Sequence, residues 1–270
     1  MKINMVDTTL RDGEQRPGIA LRASEKIDIA KMLSKLGIYQ IEAGIPAMGG
    51  EEKKYITKLM GLGLKSRISA WNRMSINDIK ESIDCAPHII HISIPSSDIQ
   101  IKRKLQKNRM WVEENMKKCI AFAKDKDYEV TIGLEDASRA DPEFLAKIIG
   151  VASSMGIKRI RYADTVGVLY RQGIYDRISR IKKQFSRIDL EIHAHNDLGM
   201  AVSNSISAVK AGASFVDCTI GGIGERAGNC DYIRFITAAK AIYGLCSEID
   251  LKKTLKVQKS ILRMIKPEAS

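Results

Sequence analysis

Short runs of apolar, often β-branched residues alternate along the chain with longer stretches of helical periodicity. This alternation is typical of a parallel sheet whose strands are joined by crossover helices. The predicted strands are Ile3–Asp7, Tyr39–Ala43, Arg67–Trp71, His88–Ile94, Glu129–Leu134, Arg159–Ala163, Asp189–His193 and Phe215–Thr219. The predicted helices lie near residues 24–36, 50–62, 75–86, 111–126, 141–155, 170–185, 199–211 and 230–243. Eight such units favour an α/β fold of the closed (β/α)8 TIM barrel type over an open doubly wound sheet.

Residues that begin and end helices agree with this assignment. Ser24 is predicted to cap the first helix, and Pro142 falls in a first turn after Asp141, where its missing N–H costs little. One catalytic barrel is predicted over residues 1–247. Residues 248–270 are predicted to form a short basic, amphipathic helical tail that caps the barrel or docks a partner.

Polar residues concentrate just after the predicted strands. In a barrel of this kind the carboxyl ends of the strands converge on one mouth, where active sites lie. The mouth is therefore predicted to contain Arg11, Asp12, Gln15, Glu42, Asn72, Arg73, Ser93, Ser96, Glu135, Asp136, Asp164, Thr165, His193, His195 and the loop 221–229.

Charge and composition exclude several classes of function. The formal net charge is +12, but the basic residues are scattered among acidic ones, so a nucleic-acid partner is not expected. No apolar run approaches the roughly 18 residues of a membrane span, and no signal peptide is evident, so a cytoplasmic protein without a membrane partner is predicted. The five cysteines are widely separated and are predicted to be reduced thiols.

A metal site is predicted from two histidines one residue apart at the end of a strand. His193 and His195 project from the same face, and Asp12 reaches the same mouth if the barrel closes. Zn²⁺ fits the histidines, whereas Mg²⁺ or Mn²⁺ fits the oxygen-rich remainder. Arg11 beside the ion is placed to stabilise an oxyanion. Two hydrogen-bonded histidines at a strand end, with Arg11 in a rim salt bridge and Asp12 in a turn, are the alternative interpretation.

Several motifs together carry a family resemblance. They are DTTLRDGEQ at 7–15, GLEDASRAD at 133–141, RYADTVG at 161–167, HAHNDLGMA at 193–201 and GIGERAGN at 222–229. With them, the chain resembles the pyruvate-carboxyltransferase-like barrels of the isopropylmalate and homocitrate synthase family over nearly its whole length. SAWNR at 69–73 and SIPSSDIQIKRKL at 93–105 make it most similar to the homocitrate synthases of nitrogen fixation.

The resemblance implies an acyltransferase. Such an enzyme condenses acetyl-CoA with α-ketoglutarate, giving homocitrate and CoA, for synthesis of the nitrogenase iron-molybdenum cofactor. The resemblance assigns Asp12, His193, His195 and Asn229 to a divalent metal, Arg11 and Glu135 to catalysis, and Gln15 and Thr165 to substrate binding. Thr165 is expected to contact the carboxylate of the keto acid.

The chain departs from the family pattern in two places. Family members continue into a segment with an HExGIH-like motif, whereas this sequence has no histidine after His195. We therefore expect the α subunit of a split homocitrate synthase, with a second subunit supplying that segment; a non-catalytic barrel is the alternative. Lysine-pathway homocitrate synthases hold the distal carboxylate with an arginine and a serine on the fifth strand, where this chain has Thr131 and Gly133. Isopropylmalate or citramalate synthase activity on another α-keto acid thus stays open. Hydroxymethylglutaryl-CoA lyase activity is a weaker alternative, because the cysteine motif in the loop of those lyases is replaced here by Gly-Glu-Arg.

Overall fold

The fold is a closed barrel of eight parallel strands, each followed by a helix. The structure, a computed structural model, describes residues 3–265. The strands are β1 Asn4–Asp7, β2 Gln40–Gly44, β3 Arg67–Arg73, β4 Ile89–Pro95, β5 Glu129–Glu135, β6 Arg159–Asp164, β7 Asp189–Ala194 and β8 Phe215–Cys218. Each strand pairs with the next, and β8 pairs with β1. The predicted TIM barrel is therefore confirmed, with strand ends within one or two residues of those expected.

The helices surround the barrel. They are α1 Ala23–Lys35, α2 Gly50–Met60, α3 Ile76–Ile83, α4 Arg109–Lys124, α5 Pro142–Ser154, α6 Arg171–Gln184, α7 Ala201–Lys210, α8 Tyr232–Tyr243 and α9 Leu251–Ile265. The first seven connect consecutive strands, and α8 completes the eighth strand-helix unit. None of the helices described between residues 3 and 265 has the length and apolar character needed to cross a bilayer.

Alternation within the strands separates two chemical environments. In β4, Ile90, Ile92 and Ile94 are fully buried and belong to the core between the strands and the helices. The residues between them, His91 and Ser93, line the cavity of the barrel. Because successive strand residues point to opposite faces, the apolar set fills the outer layer and the polar set fills the interior.

Local signals at helix ends are mostly those expected. The Asp141 side chain accepts a hydrogen bond from the Phe144 N–H, and Pro142 occupies the first helical position. The predicted cap at Ser24 is wrong, because α1 begins at Ala23 and its N-cap is Arg22. There Glu25, the third helical residue, accepts a hydrogen bond from the Arg22 backbone N–H at 2.8 Å, which is the bond that a glutamate makes in a capping box.

The tail predicted after residue 247 contains a helix, α9, that packs on the barrel. It contacts α1, α8 and the 3₁₀ turn Ile220–Gly222, and its residues Thr254, Ile261 and Ile265 are buried. Leu255, in the same helix, is 43% exposed. The division of the chain at residue 247 stays a prediction, and residues 266–270 of the predicted tail lie outside the described residues.

Candidate active site

A cavity of about 180 Å³ opens at the carboxyl ends of the strands. Seven of the eight residues predicted for the site line it: Arg11, Asp12, Gln15, Glu135, Thr165, His193 and His195. The eighth, Asn229, lies directly behind Asp12. The barrel thus brings together residues that are more than 200 positions apart in the sequence.

Asp12, His193 and His195 form a buried cluster at one side of this cavity. The Oδ2 atom of Asp12 lies 3.5 Å from His193 Nε2 and 3.8 Å from His195 Nε2. The two Nε2 atoms are 3.2 Å apart. These are the residues among positions 3–265 whose carboxylate and imidazole atoms converge closely enough to hold a metal ion.

The protonation of the cluster depends on the surrounding charges. Burial works against a charge on His193, but hydrogen bonds with Asp12 and Asp217 outweigh it and raise the pKa of His193 to about 9. Burial and the neighbouring His193 lower the pKa of His195 to about 3. Despite its burial, the pKa of Asp12 is well below its usual range, because of Arg11 and the histidines. Asp12 is therefore a carboxylate.

This donor set fits a divalent cation. The Nδ1 atom of His193 lies 3.0 Å from Asp217 Oδ2, so Nδ1 carries a proton and Nε2 faces the other donors. Two imidazole nitrogens and a carboxylate oxygen that point at one another in a buried space need either a shared proton or a cation. A carboxylate behind a histidine is the usual support of a metal ligand.

Arg11 lies beside this cluster and is fixed by two carboxylates. Its Nε donates to Glu42 Oε1 at 2.6 Å, and its Nη1 donates to Asp12 Oδ2 at 3.0 Å. The guanidinium also lies 5.7 Å from the centre of the Trp71 ring. The rim salt bridge considered from the sequence is thus present, but it faces the cavity and orients the guanidinium toward it.

Asn229 approaches Asp12 through its amide nitrogen. The Nδ2 atom donates to Asp12 Oδ1 at 2.6 Å and to the Ile223 carbonyl at 3.0 Å. Its Oδ1 atom is buried and has no hydrogen-bond partner among the described residues. In this orientation Asn229 positions Asp12, and a direct ligand role requires the amide to turn over. Its role as a ligand stays a prediction.

The remaining predicted residues lie around the rim of the cavity. Glu135 accepts hydrogen bonds from Lys104 at 2.8 Å and from Ser93 at 3.4 Å. Thr165 Oγ1 accepts a hydrogen bond from the Asp136 N–H at 2.8 Å. Gln15 is exposed and belongs to the 3₁₀ turn Gly13–Gln15. Their roles in catalysis and substrate binding stay predictions.

Sequence reasoning placed Glu42 at the mouth but missed the charged residues that it joins inside the barrel. Arg161, on β6, donates to Glu42 Oε2 at 2.7 Å and to Glu191 Oε1, and its Nε lies 2.8 Å from Asp217 Oδ2. It also missed His91, which lines the same cavity. These residues occupy inward positions of their strands, between apolar residues. That alternation was visible in the sequence, but the partners across the barrel were not.

Comparison with known proteins places the chain in a family. The sequence profile described as HMGL-like matches residues 2–261. "Homocitrate synthase subunit alpha" of Clostridium pasteurianum is 56% identical over 244 residues, which cover 90% of each chain. "2-isopropylmalate synthase 2" of Caldanaerobacter subterraneus is 43% identical over 96% of this chain and 67% of that protein. The solved structure of hydroxymethylglutaryl-CoA lyase from Pseudomonas aeruginosa superposes with a TM-score of 0.85 at 17% identity, covering 100% of this chain and 94% of that chain.

Proposed function

Because the chain belongs to the HMGL-like family, and within it to the homocitrate synthases related to isopropylmalate synthases, we propose that it is the catalytic barrel of a homocitrate synthase. A bond forms between the methyl carbon of acetyl-CoA and the keto carbon of α-ketoglutarate. Hydrolysis of the thioester then gives homocitrate and free CoA. The observation that carries this proposal is the convergence of Asp12, His193 and His195 beside Arg11 in the mouth of the barrel.

The cluster is proposed to hold a divalent cation. Mg²⁺ or Mn²⁺ suits the carboxylate and the substrate oxygens, and Zn²⁺ suits the two imidazoles. When bound, such an ion polarises the carbonyl group of a chelated keto acid. The protein orients the ligand atoms before an ion binds, because Asp217 orients His193 and Arg11 orients Asp12.

Arg11 is proposed to stabilise the negative charge that develops on the keto oxygen. Its Nε and Nη1 are occupied by Glu42 and Asp12, so Nη2 is the nitrogen left to donate into the cavity. A donor fixed before the reaction needs no reorganisation when the charge appears. Gln15 and Thr165 are proposed to bind the keto acid, and Glu135 is proposed as a catalytic carboxylate at the rim.

Removal of a methyl proton from acetyl-CoA requires a base, which we propose is supplied by a second subunit. The chain has four histidines, two of which belong to the Asp12 cluster. His91 is in the barrel interior with a pKa lowered to about 3, and His88 binds the Ile68 N–H at the other end of β4. Among residues 3–265, His91 is thus the one imidazole of the cavity outside the cluster, and its low pKa makes it a weak base. The name of the Clostridium pasteurianum relative, subunit alpha, also supports a partner.

A thiol-release assay tests the function. CoA release from acetyl-CoA is measured with α-ketoglutarate, 2-oxoisovalerate or pyruvate, with and without Mg²⁺ or Mn²⁺, and the product is identified by mass spectrometry. Each reaction is run with the chain alone and with the polypeptide encoded beside it. We expect homocitrate only when metal and both polypeptides are present. Full activity of the chain alone would contradict the proposal that a second subunit supplies the base.

A second candidate is an isopropylmalate or citramalate synthase. It is favoured by the 43% identity to an isopropylmalate synthase and by the absence of an arginine at position 131 or 133. In the same assay, this candidate predicts CoA release with 2-oxoisovalerate or pyruvate and none with α-ketoglutarate. A non-catalytic barrel predicts no release under any condition.

A further inference from the structure

The side of the cavity opposite the Asp12 cluster has its own polar groups. Asp12 follows β1 and the two histidines end β7, whereas β4 and β5 lie across the barrel in the closed strand order. His91 and Ser93 of β4 and Gly133 of β5 line the cavity there. A keto acid bound at the cluster would extend its side chain across this cavity toward β4 and β5.

The imidazole of His91 occupies space that a side chain at position 133 would fill. A Cβ atom added at Gly133 would lie 2.5 Å from His91 Nε2 and 2.9 Å from Cε1, closer than Cβ atoms approach in proteins. The backbone of Gly133 is not in a left-handed conformation, so the need for glycine here is one of space. The missing side chain on β5 and the histidine on β4 therefore form a matched pair.

Thr131 fixes the orientation of this histidine. Its Oγ1 lies 2.9 Å from His91 Nδ1, and both side chains are buried. Burial and the charge of Arg161 lower the pKa of His91 to about 3, so the ring is neutral and carries one proton. When the Thr131 hydroxyl donates to Nδ1, that proton is on Nε2, at the cavity surface. Nε2 is then a fixed hydrogen-bond donor.

A cation and a hydroxyl group lie near this donor. Lys104 lines the cavity, and its Nζ lies 2.8 Å from Glu135 Oε1. Ser93 Oγ donates to the other oxygen of Glu135 at 3.4 Å, a long bond that an incoming acceptor can replace. Lys104 balances the charge of Glu135, so an anion that takes over the Ser93 and Lys104 contacts meets two side-chain donors and a lysine at this end of the cavity.

We propose that His91, Ser93 and Lys104, arranged over Gly133, form a subsite for the second carboxylate of a dicarboxylic 2-oxo acid. The subsite rests on the proposed function, because it assumes that the 2-oxo acid end binds at the Asp12 cluster. It replaces an arginine and a serine on β5 as the means of holding a distal carboxylate. A site built to hydrogen-bond a polar group rejects an apolar analogue strongly, because its donors are then left unpaired.

The test compares two substrates in the reconstituted enzyme. For His91→Leu, kcat/KM for α-ketoglutarate should fall by about 100-fold, mainly through KM. The value for 2-oxoisovalerate should stay the same or rise. His91→Gln keeps a donor and should recover part of the loss. Thr131→Val keeps the volume of the side chain but removes the hydroxyl that orients His91. It should raise the KM for α-ketoglutarate by a smaller factor. His88→Leu, at the other end of β4, is the control and should leave kcat/KM unchanged for both substrates.

A binding measurement separates the subsite from the proposed function. Titration calorimetry of α-ketoglutarate and 2-oxoisovalerate into the chain with Mn²⁺ needs no turnover and no second subunit. Tighter binding of α-ketoglutarate to the wild type, lost in His91→Leu, supports the subsite even if no CoA is released. Equal affinity of wild type and His91→Leu for α-ketoglutarate would overturn it, even if the enzyme makes homocitrate. Preference of the wild type for 2-oxoisovalerate would overturn it as well.

Discussion

Arg226 holds both carboxylate oxygens of Asp197, with Nε 2.8 Å from Oδ1 and Nη2 3.0 Å from Oδ2. The same Nη2 donates to the backbone carbonyl of Thr165 at 2.6 Å. Arg226 belongs to the loop after β8, whereas Asp197 and Thr165 belong to the loops after β7 and β6. One guanidinium therefore joins three neighbouring loops at the mouth, and a two-bond pair of this kind fixes geometry as well as adding energy.

Loss of this pair should affect binding more than stability. For Arg226→Gln we expect the KM for the keto acid to rise about 10-fold and Mn²⁺ affinity to fall several-fold. The melting temperature should change little, because exposed ion pairs contribute roughly 0–1 kcal/mol. Arg226→Lys keeps the charge without the planar fork and should be intermediate. Mn²⁺ binding is followed by electron paramagnetic resonance of the free ion.

Two further variants provide the controls. Arg22→Gln removes another exposed pair, with Glu25, neither of which lines the cavity, and should leave Mn²⁺ affinity and KM unchanged. The double variant Arg226→Gln with Asp197→Asn should be no worse than Arg226→Gln alone, because the pair between Arg226 and Asp197 is already lost in that single variant. Additive losses would show that Arg226 and Asp197 act separately.

The Asp12 cluster should bind an ion only while His193 is present. His193→Ala should abolish Mn²⁺ binding by the chain and metal-dependent turnover of the reconstituted enzyme. Asp217→Asn keeps the size of the side chain but removes the charge that orients His193, and should weaken Mn²⁺ binding about 10- to 100-fold. His88→Ala is the matched histidine control. Unchanged Mn²⁺ affinity in His193→Ala would rule out the assigned ligands.

The sequence predicted the scaffold of the site better than its electrostatics. Strand and helix periods placed Asp12 and His193 at one mouth, because parallel strands of a barrel end on the same side. The pairing of Arg161 with Glu42 was beyond prediction, since they are 119 positions apart and meet inside the barrel. Whether the amide nitrogen or the amide oxygen of Asn229 faces Asp12 was also beyond prediction, because it depends on the path of the glycine-rich loop.

The glycine-rich loop should tolerate no side chain at Gly228. Its φ is +89°, and a Cβ would lie 2.0 Å from the carbonyl oxygen of Gly222, which is backbone and cannot turn aside. Gly228→Ala should therefore destabilise the loop by several kcal/mol or displace it, with loss of Mn²⁺ binding. Gly63→Ala is the matched control, because its φ is +58° with nothing within 4 Å. It should cost only about 1–2 kcal/mol, the strain of the left-handed conformation. Equal losses of unfolding free energy in Gly228→Ala and Gly63→Ala, measured in urea, would contradict the predicted clash at Gly228.

Acid should destabilise the protein through His91. Its pKa is lowered to about 3 by burial and Arg161, although Glu42 and Glu191 act in the opposite direction. The unfolded chain binds a proton at this position near pH 6.5, and the folded chain does not. The stabilisation from the neutral ring is thus complete above about pH 6.5 and is lost as the pH falls toward 3. At pH 5 the loss is about 2 kcal/mol of unfolding free energy.

The variant His91→Gln isolates this contribution, because glutamine does not titrate. The free energy of unfolding in urea is measured at pH 7.5 and 5.0 for the wild type and the variant. His91→Gln is expected to be less stable at pH 7.5, where a fitted imidazole is lost. Its further decrease on going to pH 5.0 should be about 2 kcal/mol smaller than that of the wild type, because every other group titrates in both proteins and cancels in the difference. Parallel decreases would mean that His91 is protonated in the folded protein as readily as in the unfolded chain.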